Sequence, residues 1–470
     1  MKLKRMSALL AAGLLMTAAQ AENYRWDSVA MGGGGYVSAV VTSKSERNVM
    51  FARTDVGGAY RWDAGQGRWV ALNDWVSEAD LGLLGIESLA IDPKNAANVY
   101  MLAGTSYFSG GKTAILRSTD YGKHFDTIDV TSQFKAHGNG MGRQAGEKLQ
   151  VDPGASNVLY VGTRRNGLFK SVDSGSTWSR LAGLDVNATP NDNGISFVLL
   201  DPTSVSDGPA ERVFVGVSRI DSVGPNLYMS LDSGQSFIPL EGGPAGLMPL
   251  RAVMSPDGLM YITYANGAGP SGTTAEPMDK GQVWEYDAAG GAWTNITPNN
   301  NNQPYSGISM DPNDPRHLVT STINTWWWQY GGAYGDHVFT SRDAGRSWTD
   351  VTARGFALDT KGVDWSNGAS IHWTGSVEFD PFDTRSVLAT SGNGIYRTAN
   401  IDAPTTTWGF NVAGIEETVP LGLRSVTDGP LVSVIGDYDG FVQTDPSQYG
   451  VMHAPRIGTT NGLTVAALDQ

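Results

Sequence analysis

The sequence contains no cysteine and only six histidines in 470 residues. No disulfide can staple the fold, and no thiol is available as a nucleophile or metal ligand. The histidines are scattered without a His-x-x-x-His pair, so no zinc site and no cofactor is expected. Charge is scarce as well: 17% of residues are charged, and 33 Lys and Arg face 47 Asp and Glu. So acidic a surface counts against nucleic acid and anionic membrane as partners, whereas a neutral substrate meets no electrostatic penalty. Long amphipathic helices are missing, and no apolar run reaches the roughly 20 residues that spanning a bilayer requires.

The run from Ala8 to Ala19 is instead short, follows Lys2, Lys4 and Arg5, and ends in Ala19-Gln20-Ala21. That is the pattern of a secretory signal with a small-residue cleavage site near Ala21. Residues 1–21 are therefore expected to be a signal peptide, and the mature protein to be secreted or periplasmic. Removing three positive charges and no negative ones takes the net charge from -14 to -17. What the sequence does have is 59 glycines and 14 tryptophans. Many short strands and tight turns follow from that composition, and the expected class is all-β.

A repeat organises the chain. Turns of the form Ser/Thr-x-Asp-x-Gly-x-Ser/Thr-Trp/Phe occur at Ser118 to Phe125, Ser171 to Trp178, Ser230 to Phe237 and Ser341 to Trp348, the first with His124 in place of the hydroxyl residue. Weaker copies centre on Asp63, Asp287 and Asp402, and successive aspartates are 53 to 59 residues apart. Asp-Pro or Ser-Pro pairs, such as Asp92-Pro93 and Asp380-Pro381, precede most of these turns between two short apolar stretches. Each unit reads as strand, Asp-Pro turn, strand, connection, strand, Asp-box hairpin, strand, which is the four-stranded blade of a propeller. The Asp-box is expected to be structural: its carboxylate bonds the backbone of its own turn, its glycine takes a positive φ, and its aromatic ring packs between sheets.

Residues that break the repeat are the candidates for function. In Ala52 to Tyr60 a strand ends in Asp55 before Gly57-Gly58, glycines expected to leave room for a bulky ligand; a turn aspartate capping its own backbone is the alternative. Leu431 to Phe441 places Asp437 between Gly436 and Tyr438, with a second acid at Asp439. Trp326, Trp327 and Trp328 are consecutive, so on a strand they cannot all face one core, and at least one indole is expected at the surface, suited to the C–H faces of sugar rings. Gly32 to Gly35 lack a following helix or Lys-Ser/Thr, so tight strand packing is preferred over a phosphate loop. Arg143, in the glycine-rich Asn139 to Arg143, serves either a structural carboxylate or a substrate.

Taken together, Ala52 to Trp62, Gly140 to Leu149 with Val151-Asp152-Pro153, Ser321 to Trp328, and Gly414-Ile415-Glu416-Glu417-Thr418 leading into Gly436-Asp437 resemble glycoside hydrolase family 74, the xyloglucan-cleaving endo- and exo-glucanases. The resemblance covers Tyr24 to about Leu468. It implies an inverting hydrolase built from two seven-bladed propellers with a cleft between them, Asp55 as general base and Asp437 as general acid, Asp439 being the other acid of that segment. Inversion needs two carboxyl groups about 6.5–9.5 Å apart, and facing domains can supply them. Trp326, Trp327, Trp328, Arg143 and Tyr60 are the substrate-binding candidates.

The expected architecture is thus a seven-bladed β-propeller over residues 22–415 and the first strands of an incomplete second propeller over 416–470, the chain stopping where family members continue. The expected partner is a plant cell-wall polysaccharide, xyloglucan or a related β-glucan, bound by a monomer. A non-catalytic propeller that binds glycan or protein is the alternative. A sialidase-like hydrolase is a third reading, disfavoured by seven units and by the acidic surface.

Overall fold

The structure, a computed structural model, describes residues 27–466; the signal peptide expected over residues 1–21 lies outside them. The strands form consecutive sheets, antiparallel except that the seventh adds Phe356–Asp359 parallel to Thr406–Phe410, and each is built from one continuous stretch of chain. The first comprises Val37–Thr42, Met50–Thr54, Ala59–Asp63 and Arg68–Ala71, and the second Ile86–Ile91, Val99–Gly104, Thr113–Ser118 and Asp126–Asp129. Five more begin at Leu149–Val151, Ile195–Leu200, Met248–Met254, Tyr305–Asp311 and Val377–Asp380. Strands such as Val99–Gly104 are buried along their whole length. Lying between neighbouring sheets, they are covered on both faces, which is why they read as unbroken apolar runs rather than alternating ones.

The first and seventh sheets meet. Val37, Val40, Tyr60 and Trp69 share one core with Val377, Val387, Tyr396 and Trp408. Trp69 donates its backbone N–H to Ala413 O at 2.7 Å and its indole N–H to Asn411 O at 2.9 Å. Gly33 pairs in parallel with Glu416, its N–H on Ile415 O at 2.7 Å and its carbonyl accepting the Glu417 N–H at 3.2 Å. The glycines from 32 to 35 are thus packing residues: a Cβ on Gly33 would lie 2.6 Å from Asn393 O, and one on Gly35 2.0 Å from Glu417 O.

The strong Asp-boxes form as their chemistry requires. In the copy at Asp173 the carboxylate accepts from the Thr177 N–H at 2.8 Å and its hydroxyl at 2.6 Å, while Trp178 donates its indole N–H to Gly175 O. At Asp120 the ring nitrogen of His124 takes the hydroxyl's place, 2.6 Å from Asp120 Oδ2. The copy centred on Asp402 differs. Asn400 accepts the Asp402 N–H in that turn, and the Asp402 carboxylate pairs with Arg342 of the preceding blade at 2.5 Å.

In an up-and-down sheet, the loop entering a blade and the loop joining its second and third strands fall at the same end. The Asp-Pro turns and Asp-boxes fall at the other. Asp55, Arg143, Trp326 and His372 all lie on loops of the first kind, so the boxes occupy the face away from them. An eighth sheet, Val419–Ser425, Leu431–Gly436, Phe441–Gln443 and Val451–Met452, follows the ring. It packs through Ile435, Phe441 and Tyr438 on Met31 and Trp365, and leaves Val419, Leu421, Leu423 and Val451 exposed.

Candidate active site

Asp55 stands in the turn between Met50–Thr54 and Ala59–Asp63. Thr54 closes that turn: its hydroxyl donates to Gly58 O and accepts the Gly57 N–H, both at 2.9 Å. The Asp55 carboxylate is thereby left for another partner. It is 7% exposed, and its Oδ2 lies 2.9 Å from Arg143 Nε. Burial pushes its pKa above the ordinary carboxylate value, while Arg143 and the adjoining backbone N–H groups of Asp55 and Val56 restrain the rise.

Arg143 is delivered by the loop that leads into the third sheet, and buried cations pin that loop. Arg53 donates to Arg143 O at 2.8 Å and Ala145 O at 3.1 Å, and pairs with Glu147 at 2.9 Å. Arg251 donates to the carbonyls of Gln144 and Ala145 at 3.0 Å. The Arg143 guanidinium also lies over the Tyr36 ring, 5.2 Å from its centroid.

Asp437 comes from the eighth sheet. It follows Leu431–Gly436, has φ 68°, donates its N–H to Thr459 Oγ1 at 2.9 Å, and is exposed. Asp439 is buried and spent on local structure, accepting from the Ile457 N–H at 3.1 Å and the Thr460 hydroxyl at 3.4 Å. A cleft of about 450 Å³ has Asp55, Arg143 and Asp437 in its walls together with Tyr36, Asn139, His372, Trp373, Glu417 and Tyr438. Of the two acids in the Asp437 segment, Asp437 alone lines it.

The other sequence candidates divide. Trp326 and Trp328 are 54% and 56% exposed, and Trp327 is half-buried against the sixth-blade core, edge-on to His337 at 5.2 Å. None of the three lines the cleft, but Trp326 stacks on His372, which does, at 5.7 Å. Tyr60 is not brought to the cleft: it is 3% exposed within the core joining the first and seventh sheets, because its position on the strand faces the neighbouring blade. Gly57 and Gly58 do not leave room for a ligand. The space beside them is filled by Glu417 and Asn73, whose side chains come within 1.7 Å and 2.9 Å of where a Cβ would stand.

His372, Trp373, Tyr36 and Tyr438 escape a reading of the sequence. His372 and Trp373 precede the first strand of the seventh blade, the unit position that Arg143 occupies before the third, and that equivalence was the available signal. Burial lowers the His372 pKa and favours the neutral ring. Trp373 meets Tyr36 edge-on at 5.9 Å.

Structural Asp-boxes on one face and a cleft lined by carboxylates and aromatic rings on the other define the class of Asp-box β-propellers. No family model matches the chain. It is 34% identical to a xyloglucanase from Paenibacillus sp over 97% of its own length and 47% of that protein's. Two crystal structures superpose on it closely. The Niastella koreensis GH74 enzyme has 45% identity and a TM-score of 0.88 over 92% of this chain and 62% of that one. The GH74 xyloglucanase from Xanthomonas campestris has 36% identity and a TM-score of 0.83 over 93% and 63%. The chain belongs to glycoside hydrolase family 74. It spans about half the length of the curated relative and under two thirds of each solved one.

Proposed function

We propose that this chain carries the catalytic carboxyl groups of an inverting glycoside hydrolase that cleaves β-1,4-glucosidic bonds of xyloglucan, with Asp55 as general base and Asp437 as general acid. The observation that supports it best is the single cleft shared by these two residues, which come from sheets at opposite ends of the described chain. Arg143 favours an ionised Asp55, as a base that activates water requires. Asp437, open to the cleft, is free to protonate a leaving oxygen. Reducing sugar released from xyloglucan is the test: Asp55→Asn and Asp437→Asn should each lower turnover about 10²–10⁴-fold. Undiminished activity in both variants rejects the assignment.

The eighth sheet is read as the first blade of a second propeller. Its exposed Val419, Leu421 and Leu423 and the greater length of the relatives support this. Joining the chain to the C-terminal half of the Paenibacillus relative should then slow amide exchange along Val419–Ser425; unchanged exchange counts against it. Export is proposed on the basic and apolar pattern of residues 1–21, and a mature N-terminus near residue 22 in secreted protein would support it.

A glycan-binding propeller without hydrolysis is favoured by one feature, the exposed Trp326 and Trp328, the first stacked on His372 of the cleft wall. Affinity electrophoresis on xyloglucan separates the readings, because retardation with no sugar released supports binding alone.

A further inference from the structure

The acid–base assignment leaves a buried carboxyl group in the cleft wall without a role. Glu417 follows the last strand of the seventh sheet, is 2% exposed, and runs beneath the turn that carries Asp55. Its Oε2 fills the space in which a Gly57 Cβ would stand, and its Cγ lies 2.4 Å from the equivalent point on Gly35. Two glycines some 20 residues apart in sequence therefore clear room for one carboxyl group. Both of its oxygens are shielded from solvent and neither makes a well-aligned hydrogen bond. Among the described residues no ion pair reaches it.

The groups that face it do not favour a charge. Asp55 stands on the turn above, Tyr60 on the next strand and Glu416 beside it in the chain, and Arg143 lies beyond Asp55 and is committed to that carboxylate. A buried carboxylate with no cation and no aligned donor is costly, and two adjacent carboxyl groups do not both ionise readily. Burial first, and then the charge of Asp55, push the Glu417 pKa up to about 8, against weak opposition from Thr54 and the N–H groups of Gly57 and Val56.

We propose that Glu417 is a positioning residue that supports the Asp55 turn as a neutral carboxylic acid, leaving Asp55 the one ionised carboxylate on the base side of the cleft. The inference rests on the reading of Asp55 as general base. In this arrangement Arg143 selects which of the two acids gives up its proton. Asp55 loses it and Glu417 keeps it.

The test compares two variants of the full chain. Glu417→Gln preserves shape and neutrality and should hold kcat on xyloglucan oligosaccharides within about threefold of the parent. Glu417→Ala empties the space under the turn and should lower kcat about 10–100-fold with little change in KM, the size of effect that misplacing a catalytic group produces. Infrared difference spectra need neither substrate nor turnover: at pH 7 the parent-minus-Glu417→Gln spectrum should show one protonated-carboxyl C=O band, over and above the absorption of Glu416 and Asp336 common to both proteins, and that band should fade as pH rises through about 8. Absence of that band at pH 7, or a loss in Glu417→Gln as large as in Asp55→Asn, overturns the proposal. Full activity in Asp55→Asn would instead overturn the base assignment while leaving the infrared result readable.

Discussion

Arg143 Nε and Asp55 Oδ2 are 2.9 Å apart, within a cleft whose walls largely bury both side chains. Burial and the guanidinium pull the Asp55 pKa in opposite directions, and burial prevails. Arg143→Met removes the restraint and leaves the burial. The acid limb of the kcat/KM profile should then move to higher pH by about 1–3 units, the range over which an adjacent cation acts on a carboxylate. Arg143→Lys should fall between parent and Met. An acid limb that stays in place in both variants would show that Asp55 does not set it.

Gly57→Ala probes packing without backbone strain, because Gly57 is absent from the positive-φ glycines. The added methyl would stand 1.7 Å from Glu417 Oε2. Overpacking of this kind costs about 1–3 kcal/mol, and thermal melts should reveal it, with reduced turnover because the turn bearing Asp55 must shift. Gly462→Ala, which meets nothing within 4 Å, is the control and should melt with the parent.

Stability should depend on pH in an unusual sense. Burial raises Glu416 and Asp336 to about 7 and Glu417 to about 8. The folded protein therefore holds protons that the unfolded chain releases above about pH 4. The stabilisation is complete below that point and is lost as pH rises through 7 to 8. Glu87, held down to about 2 by Arg164 and Lys148 against its burial, acts in the opposite direction and only at lower pH. Melting temperature should thus peak near about pH 4–5 and decline toward pH 8, and Glu417→Gln should flatten the decline. A melting temperature that rises steadily from pH 5 to 8 would contradict this.

The three tryptophans should separate by exposure. Trp326→Ala and Trp328→Ala should leave the melt within about 0.5 kcal/mol of the parent while weakening retardation on xyloglucan gels. Trp327→Ala, which takes an indole from the sixth-blade core and from the edge of His337, should cost about 2 kcal/mol or more.

The blades were legible because their signals are local. An Asp-box writes its acceptor, its positive-φ glycine and its aromatic within eight residues, and a fully buried strand writes itself as an apolar run. Where a partner comes from another blade, the reading slips, as with Asp402, which pairs with Arg342 rather than with its own turn. In the cleft, Asp55, Arg143 and Asp437 were found because each interrupts the repeat. Glu417 beneath Gly57, and Tyr36 against Trp373, were hidden by more than 300 residues of intervening chain. Tyr60 was misplaced because proximity to Asp55 in sequence says nothing about which face of the strand a side chain takes.

The pairing of Gly33 with Glu416 has a consequence in time. Every sheet is drawn from one continuous stretch, so blades can form one after another as the chain is made, each against the one before. The first blade alone must wait for its second neighbour. Until residues near 416 exist, the turn bearing Asp55 has nothing beneath it, and one side of the first sheet stays bare. Such distant contacts form slowly. During synthesis the waiting surface is where a stalled or shortened chain would be most open to aggregation and to proteolysis, and closing the ring and completing the turn that carries Asp55 are one event.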